Sequence, residues 1–301
     1  MFGYLIGVSV ILSEKIVYSF ANIIDGSLSR SVFKHVRTII VYNGLFSIIF
    51  LPILYIVLRP TLLPLVYVPV FLIIGLCEML YQVPYYKSLR ESDPSVVSAL
   101  FNLGRPIVPL LAYFIVGERL QPIQYAGFFF IIIGSIVVSY IQASHFRASR
   151  IFFMMLFAAV IISVQSVSIK YGVDALSWQM VVFWQTVFSL PMYLSLFFVK
   201  EVRTDFRSIL HTHTIKSHLA IFVQNILSFC GSILGTFSFV WLPVTIAKGL
   251  SAADPLIILG IYALFGKQIG KYFGESYIDS FSVKKVVGFI LIGAGVVLLF
   301  V

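Results

Sequence analysis

DPSVVSALFNLGRP at residues 93–106 and LPVTIAKGLSAADP at residues 242–255 decide the fold, because they read as one segment written twice. Laying Pro94 on Pro243 puts Pro106 on Pro255 and Gly117 on Gly266, all at an offset of 149. After an insertion in the second copy, Gly127 and Gly134 fall on Gly288 and Gly295 at an offset of 161. The duplication predicts two related halves, residues 1–143 and 144–301.

Composition says what the halves are made for. With 60% hydrophobic and 11% charged residues and a mean hydropathy of +1.02, the chain exceeds what a soluble core needs. Apolar stretches long enough to cross a bilayer, about 20 residues each, run at 2–24, 38–58, 62–86, 94–116, 122–143, 151–171, 177–199, 219–241, 243–266 and 284–301. Hydrocarbon satisfies no free backbone group, and these runs lack the in-out alternation of a barrel strand. The expected fold is therefore an all-α membrane protein of ten transmembrane helices, five per half. An odd number of crossings makes the second half enter upside down, which gives two inverted five-helix repeats.

The net charge of +9 does not point to nucleic acid, because the basic residues are spread over the connections with no aromatic-interleaved basic face. Fifteen Lys and Arg fall in odd-numbered connections, beginning with Arg30, Lys34 and Arg37, against three in even ones, Arg59, Arg119 and Lys170. The positive-inside rule then makes the odd connections cytoplasmic and sets both termini on the far side. The first span has no basic region before it and no small-residue cleavage site after it, so it reads as retained. Cys77 and Cys230 lie within spans and are expected as free thiols. No Asn-x-Ser/Thr signal occurs, and a bacterial inner membrane is the preferred location.

Asp93-Pro94-Ser95-Val96-Val97-Ser98-Ala99-Leu100, Pro106, Gly117-Glu118-Arg119, Gly127 and Gly134 resemble the repeat unit of the drug/metabolite transporter superfamily, EamA type. The likeness is strongest over spans three to five, and the second half departs from it by carrying Lys267-Gln268 where the first has Glu118-Arg119. The resemblance implies a ten-helix inverted-repeat carrier with a central cavity that moves small metabolites or amphiphiles by alternating access. Ile11-Leu12-Ser13-Glu14 is also similar to the first helix of the small multidrug resistance pumps, in which a lone intramembrane glutamate binds a proton or a cationic substrate.

A charge at the centre of a span costs about 2.5–3.5 kcal/mol on insertion scales and so needs a reason. Six residues qualify: Glu14, Lys15, Glu78, Arg105, Lys248 and Asp254. Glu14, Tyr18, Asn22 and Asp25 follow one another at helical spacing and form a polar stripe expected to face the cavity. Glu14 reads either as a proton or cation site or as a structural partner of Lys15, which lies only about 100° around the helix. Arg105 and Asp254 occupy equivalent positions, each before a proline. They read as a pair locking two helices, or Arg105 and Lys248 recognise a carboxylate or phosphate. Asn102 lies in the stripe of Arg105, and Ser251 in that of Asp254. Glu78, Tyr81, Gln82 and Tyr85 share a face, while Gln165 and Gln224 add hydrogen-bonding groups that serve either solute or interhelical contact.

Gly231 and Gly235 read as helix packing, Gly266, Gly270 and Gly274 as an interfacial turn or short helix, and His211 and His213 as a solvated loop rather than a metal site. Helices five and ten, which carry no buried charge, read as peripheral supports or a protomer contact. No hydrolase, P-loop or paired-cysteine motif is visible, so neither an enzyme nor a cofactor is expected. The expected function is secondary-active transport, as exporter or exchanger, of a small organic metabolite, amino acid or amphiphilic cation. Coupling to a proton or counter-substrate stays open. One alternative is an antiporter of anionic, nucleotide-like or phosphorylated metabolites, and another is a non-transporting scaffold subunit. The expected partners are the small-molecule substrate and the lipid bilayer, with no nucleic acid and an open oligomeric state.

Overall fold

A computed structural model of the chain describes residues 2–141, 145–212, 214–273 and 283–299. Its long helices in the first half are α1 (Phe2–Ser31), α2 (Val36–Leu58) and α3 (Val68–Glu91), then α4 (Pro94–Phe101) and α5 (Ile107–Ile115) in succession, and α6 (Pro122–Ile141). The second half holds α7 (His145–Ala175), α8 (Trp178–Ser195), α9 (Lys200–Thr212), α10 (Ile215–Ser238), α11 (Val244–Leu250), α12 (Asp254–Phe273) and α13 (Val283–Leu298). Among the described residues there is no strand.

Seven helical spans are long and apolar enough to cross a bilayer, α11 with α12 counting as one, and α4 with α5 makes an eighth when its 41° bend is taken as one broken span. The described parts of α6 and α13 are apolar but shorter, at Pro122–Val137 and Val286–Leu298. Large side chains such as Phe2, Ile56 and Phe114 are exposed on the outside of the bundle, where lipid would cover them.

Both helix breaks occur at the duplicated prolines. A proline has no N–H for the carbonyl four residues back and its ring crowds that turn. Single 3₁₀ turns at Asn102–Gly104 and at Ser251–Ala253 precede Arg105-Pro106 and Asp254-Pro255 at the same offset of 149. Gly104 lets α7 come against the first break, since a Cβ there would lie 2.2 Å from Ala159 O.

The helices pair across the two halves. α1 packs on α10 as α3 packs on α7, α1 on α12 as α7 on α5, and α2 on α8. α6 and α13, expected as peripheral supports or a protomer contact, pack on each other within the chain and run antiparallel. A Cβ on Gly127 would lie 2.7 Å from Gly295 O, one on Gly295 2.5 Å from Gly127 O, and one on Gly134 2.5 Å from Gly288 O. Gly127, Gly134, Gly288 and Gly295, which align between the halves, are thus those that let the two backbones touch.

Two carboxylates pin one half to the other. The amphipathic α9 turns Val202, Asp205 and Ile209 inward. From there Asp205 accepts from Lys34 N at 3.3 Å, His35 N at 2.9 Å and Thr38 Oγ1 at 2.8 Å, capping α2, whose own N-cap residue offers no side-chain bond. At the other end, Gly117 takes φ +73°, which glycine adopts without a Cβ clash. The turn aims Glu118 at the start of α11, where it accepts from Val244 N at 2.7 Å, Thr245 N at 3.1 Å and Thr245 Oγ1 at 2.7 Å.

The second copy differs at this point. Helix α12 runs through Gly266 and Gly270 to Phe273, so those glycines lie inside this long helix and not in an interfacial turn or a short helix of their own. Gly274 and His213 fall outside the described residues.

Candidate functional site

Polar residues on α1, α3, α7, α10 and the broken helices converge on a cavity of about 260 Å³ within the bundle. Ten residues expected there line it: Glu14, Lys15, Tyr18, Asn22, Glu78, Gln82, Arg105, Gln165, Lys248 and Asp254. Asn102, Gln224 and Ser251 do not belong to its lining. Asn102 is fully buried, with its amide donating to Ala252 O at 3.3 Å; Ser251 Oγ donates to its own helix at Ala247 O, 2.9 Å away; Gln224 Nε2 donates to Ser228 Oγ at 3.0 Å. Asn102 and Ser251 are fully buried at the two helix breaks, a distinction that spacing along one helix does not reveal.

The stripe on α1 seats in the hollow left by the α10 glycines. A Cβ on Gly231 would lie 2.8 Å from the Tyr18 ring and one on Gly235 3.0 Å from Glu14 Oε1. Glu14 Oε1 pairs with Lys15 Nζ at 3.0 Å, whereas its Oε2 is buried without a hydrogen-bond partner among the described residues. Lys15 Nζ also lies 5.2 Å from the Tyr18 ring centroid. Lys248 Nζ lies 5.4 Å from the Phe239 ring and has no hydrogen bond or ion pair among the described residues.

The expected Arg105–Asp254 pair is not formed. Arg105 Nε donates to Asn102 Oδ1 at 2.6 Å, and its two terminal nitrogens donate to Lys248 O and, at 2.9 Å, to Ser251 O. Ser251 O is the carbonyl that Pro255, four residues on, has no N–H to serve. The break in one half is therefore bridged by the arginine of the other, and Asp254 instead accepts from Ser19 Oγ at 3.1 Å.

Glu78 is held by neutral donors. Its Oε1 accepts from Gln82 Nε2 at 3.0 Å and from Tyr81 OH and Tyr193 OH at 3.1 Å each, while Oε2 accepts from Gln165 Nε2. Gln82 also bonds Asn43 Nδ2 at 3.0 Å, and that amide reaches Tyr86 OH at 3.2 Å. Tyr86 OH in turn donates to Asp25 Oδ1 at 3.2 Å. This continuous network brings in Asn43, Tyr86 and Tyr193, which sequence reasoning missed. Asn43 and Ser47 at helical spacing on α2 were the available signal; Tyr193 had none.

Residues 2–140, a little under half of the chain, match the EamA-like transporter family. This segment is similar to an EamA-like transporter unit. The resemblance to the drug/metabolite transporter superfamily rests on that match, which runs from α1 through α6 and takes in the Glu118 pin. No curated protein matches the chain. A solved crystal structure shares its fold with a TM-score of 0.61 at 20% identity, over 98% of this chain and 95% of that one. The EamA-like unit supplies Glu14, Glu78 and Arg105 to the cavity, and the remainder of the chain supplies Gln165, Lys248 and Asp254.

Proposed function

We propose that the chain is a secondary-active carrier, not an enzyme, in which a small organic solute binds in the central cavity. The observation that carries this reading is a cavity within the bundle lined by both an ammonium with no hydrogen bond or ion pair among the described residues, Lys248, and a buried carboxylate oxygen without a hydrogen-bond partner, Glu14 Oε2. A scaffold gains nothing from such groups, since a buried polar atom left without a hydrogen-bond partner costs about 1–3 kcal/mol. The cavity carries four carboxylates, Glu14, Asp25, Glu78 and Asp254, against Lys15, Arg105 and Lys248, and its walls include Tyr18, Phe101 and Phe239. That balance suits an amino-acid-like zwitterion or a cationic amphiphile better than a phosphorylated anion, because the guanidinium of Arg105 is already engaged.

The architecture of this reading is ten crossings in two inverted five-helix repeats. It is supported by the exchanged packing of α1–α10 with α3–α7, by the reciprocal glycine contacts of α6 with α13, and by helix breaks at equivalent positions. Lys34 sits beside Asp205 at the end where Arg90 donates to Ser29 O, so basic residues gather on one side. That side is read as cytoplasmic in a bacterial inner membrane. In a Cys77→Ala, Cys230→Ala background, Lys34→Cys is expected to react with an impermeant maleimide only in inside-out vesicles and Leu62→Cys only in right-side-out ones. The opposite pattern reverses the orientation.

The carrier reading is tested by thermal unfolding of the purified chain against amino acids, polyamines, lipophilic cations, nucleotides and sugar phosphates. A ligand at about 100 times its Kd adds roughly 2.7 kcal/mol. A zwitterionic or cationic ligand is expected to stabilise the wild type and to lose that effect in Lys248→Ala or Glu14→Gln. Stabilisation by anions alone selects the antiporter, and silence across the panel returns the scaffold.

A further inference from the structure

Tyr85 of α3 has one phenolic proton and two acceptors. Its hydroxyl lies 2.7 Å from Asn22 Oδ1 and 3.2 Å from Asp25 Oδ2, both on α1. A phenol donates one hydrogen bond and accepts others. If Asp25 were a carboxylate, the Tyr85 proton would serve one oxygen and leave the other facing a bare lone pair at hydrogen-bond distance. With a proton on Asp25 Oδ2, both contacts become donor–acceptor pairs: Asp25 Oδ2–H donates to Tyr85 OH, and Tyr85 OH donates to Asn22 Oδ1. The other oxygen is already served, since Tyr86 OH accepts from Asn43 Nδ2 and so keeps its own proton for Asp25 Oδ1.

The surroundings agree. Among the described residues the groups that contact Asp25 are Tyr85, Tyr86 and Gln224, all neutral. The carboxylates whose fields reach these tyrosines are Glu78, from α3, and Asp254, from α12. Glu14, by contrast, has the Lys15 ammonium at 3.0 Å and lies eleven residues, about 16 Å, back along α1. A buried carboxylate with no cation beside it is unfavourable as an anion.

We propose that Asp25 carries a proton in this conformation, and that Asp25, Tyr85 and Asn22 form a proton-binding site in the cavity wall. On loss of that proton to the cavity, the Tyr85 hydroxyl turns to Asp25 Oδ2, and Asn22 Oδ1 is left open as an acceptor for an N–H group of the solute. Proton release and solute binding are then linked through one hydroxyl. The linkage rests on the carrier reading above; the proton itself does not.

The test is infrared difference spectroscopy of the full chain in detergent, following the carbonyl stretch of protonated carboxylic acids and its shift on exchange into D2O. At neutral pH the wild type is expected to show such a band, Asp25→Asn to lose it, and Glu14→Gln and Glu78→Gln to keep it. Asn at position 25 can still donate to Tyr85, which favours folding of that variant. Should Asp25→Asn not fold, Tyr85→Phe decides: it keeps Asp25, removes the acceptor of its proton, and is expected to move the band. A wild type without the band, a band that survives Asp25→Asn, or one unmoved in Tyr85→Phe overturns the proposal whatever the ligand panel shows. A silent ligand panel with the band present removes the carrier and leaves the proton site standing.

Discussion

Arg105→Ala is expected to be the most destabilising single substitution in the cavity wall, although from sequence the residue reads as the partner of Asp254 or as an anion-binding group. The variant leaves Asn102 Oδ1 and Lys248 O without their guanidinium donor and takes one of two donors from Ser251 O, which Asp254 N also serves. Each buried polar group left unsatisfied costs about 1–3 kcal/mol, so the two acceptors imply a loss of roughly 2 kcal/mol or more. Arg105→Lys is expected to recover little, because an ammonium is a compact donor that cannot reach three acceptors arranged for a planar fork. Thermal unfolding in detergent reads both variants. An unchanged midpoint in Arg105→Ala would mean that the carbonyls find other donors, and would restore Arg105 to the solute.

The second large effect is expected at the two pins. Asp205→Ala leaves two backbone N–H groups and the Thr38 hydroxyl without an acceptor, and Glu118→Ala does the same to Val244, Thr245 and the Thr245 hydroxyl. Loss of a capping side chain costs about 0.5–2 kcal/mol, and the buried hydroxyls raise each total to roughly 2 kcal/mol or more. The pins lie at opposite ends of α1: Lys34 and His35 follow its last turn, while Gly3 and Gly7 at its start meet Trp241 and Leu242, just before Val244. Thirty residues of helix separate these ends by about 45 Å, so the double variant is expected to show the sum of the two losses. A double variant well short of that sum would show that the ends are coupled through the bundle, which on the carrier reading is the more informative result.

Much of the fold was legible because lipid imposes simple rules. Long apolar runs must be helices, and the repeated prolines marked the helix breaks to the residue. The polar stripe Glu14, Tyr18, Asn22, Asp25 was read from spacing and does line the cavity. Where reading failed, a second helix was always involved. Asn102 and Ser251 looked cavity-facing because they share stripes with Arg105 and Asp254, yet they serve the helix breaks. Gly117-Glu118 was visible as a motif, but its purpose depends on a start of α11 that lies 126 residues away. The insertion after Gly266 hid that the second copy continues as helix where the first one turns.

By itself the sequence determined the solvent, the helical class, the duplication, the positions of the breaks and the set of buried charges, since each follows from composition, periodicity or the missing N–H of proline. Only the tertiary structure decided which charges meet. It paired Glu14 with Lys15, turned Arg105 to the carbonyls at the break in the other half, left Lys248 unpaired, and set Tyr85 between Asn22 and Asp25. The reason is geometric: a hydrogen bond is made or lost within about an ångström. The relative rotation of two helices, which decides that ångström, is fixed by side chains packed along their whole length.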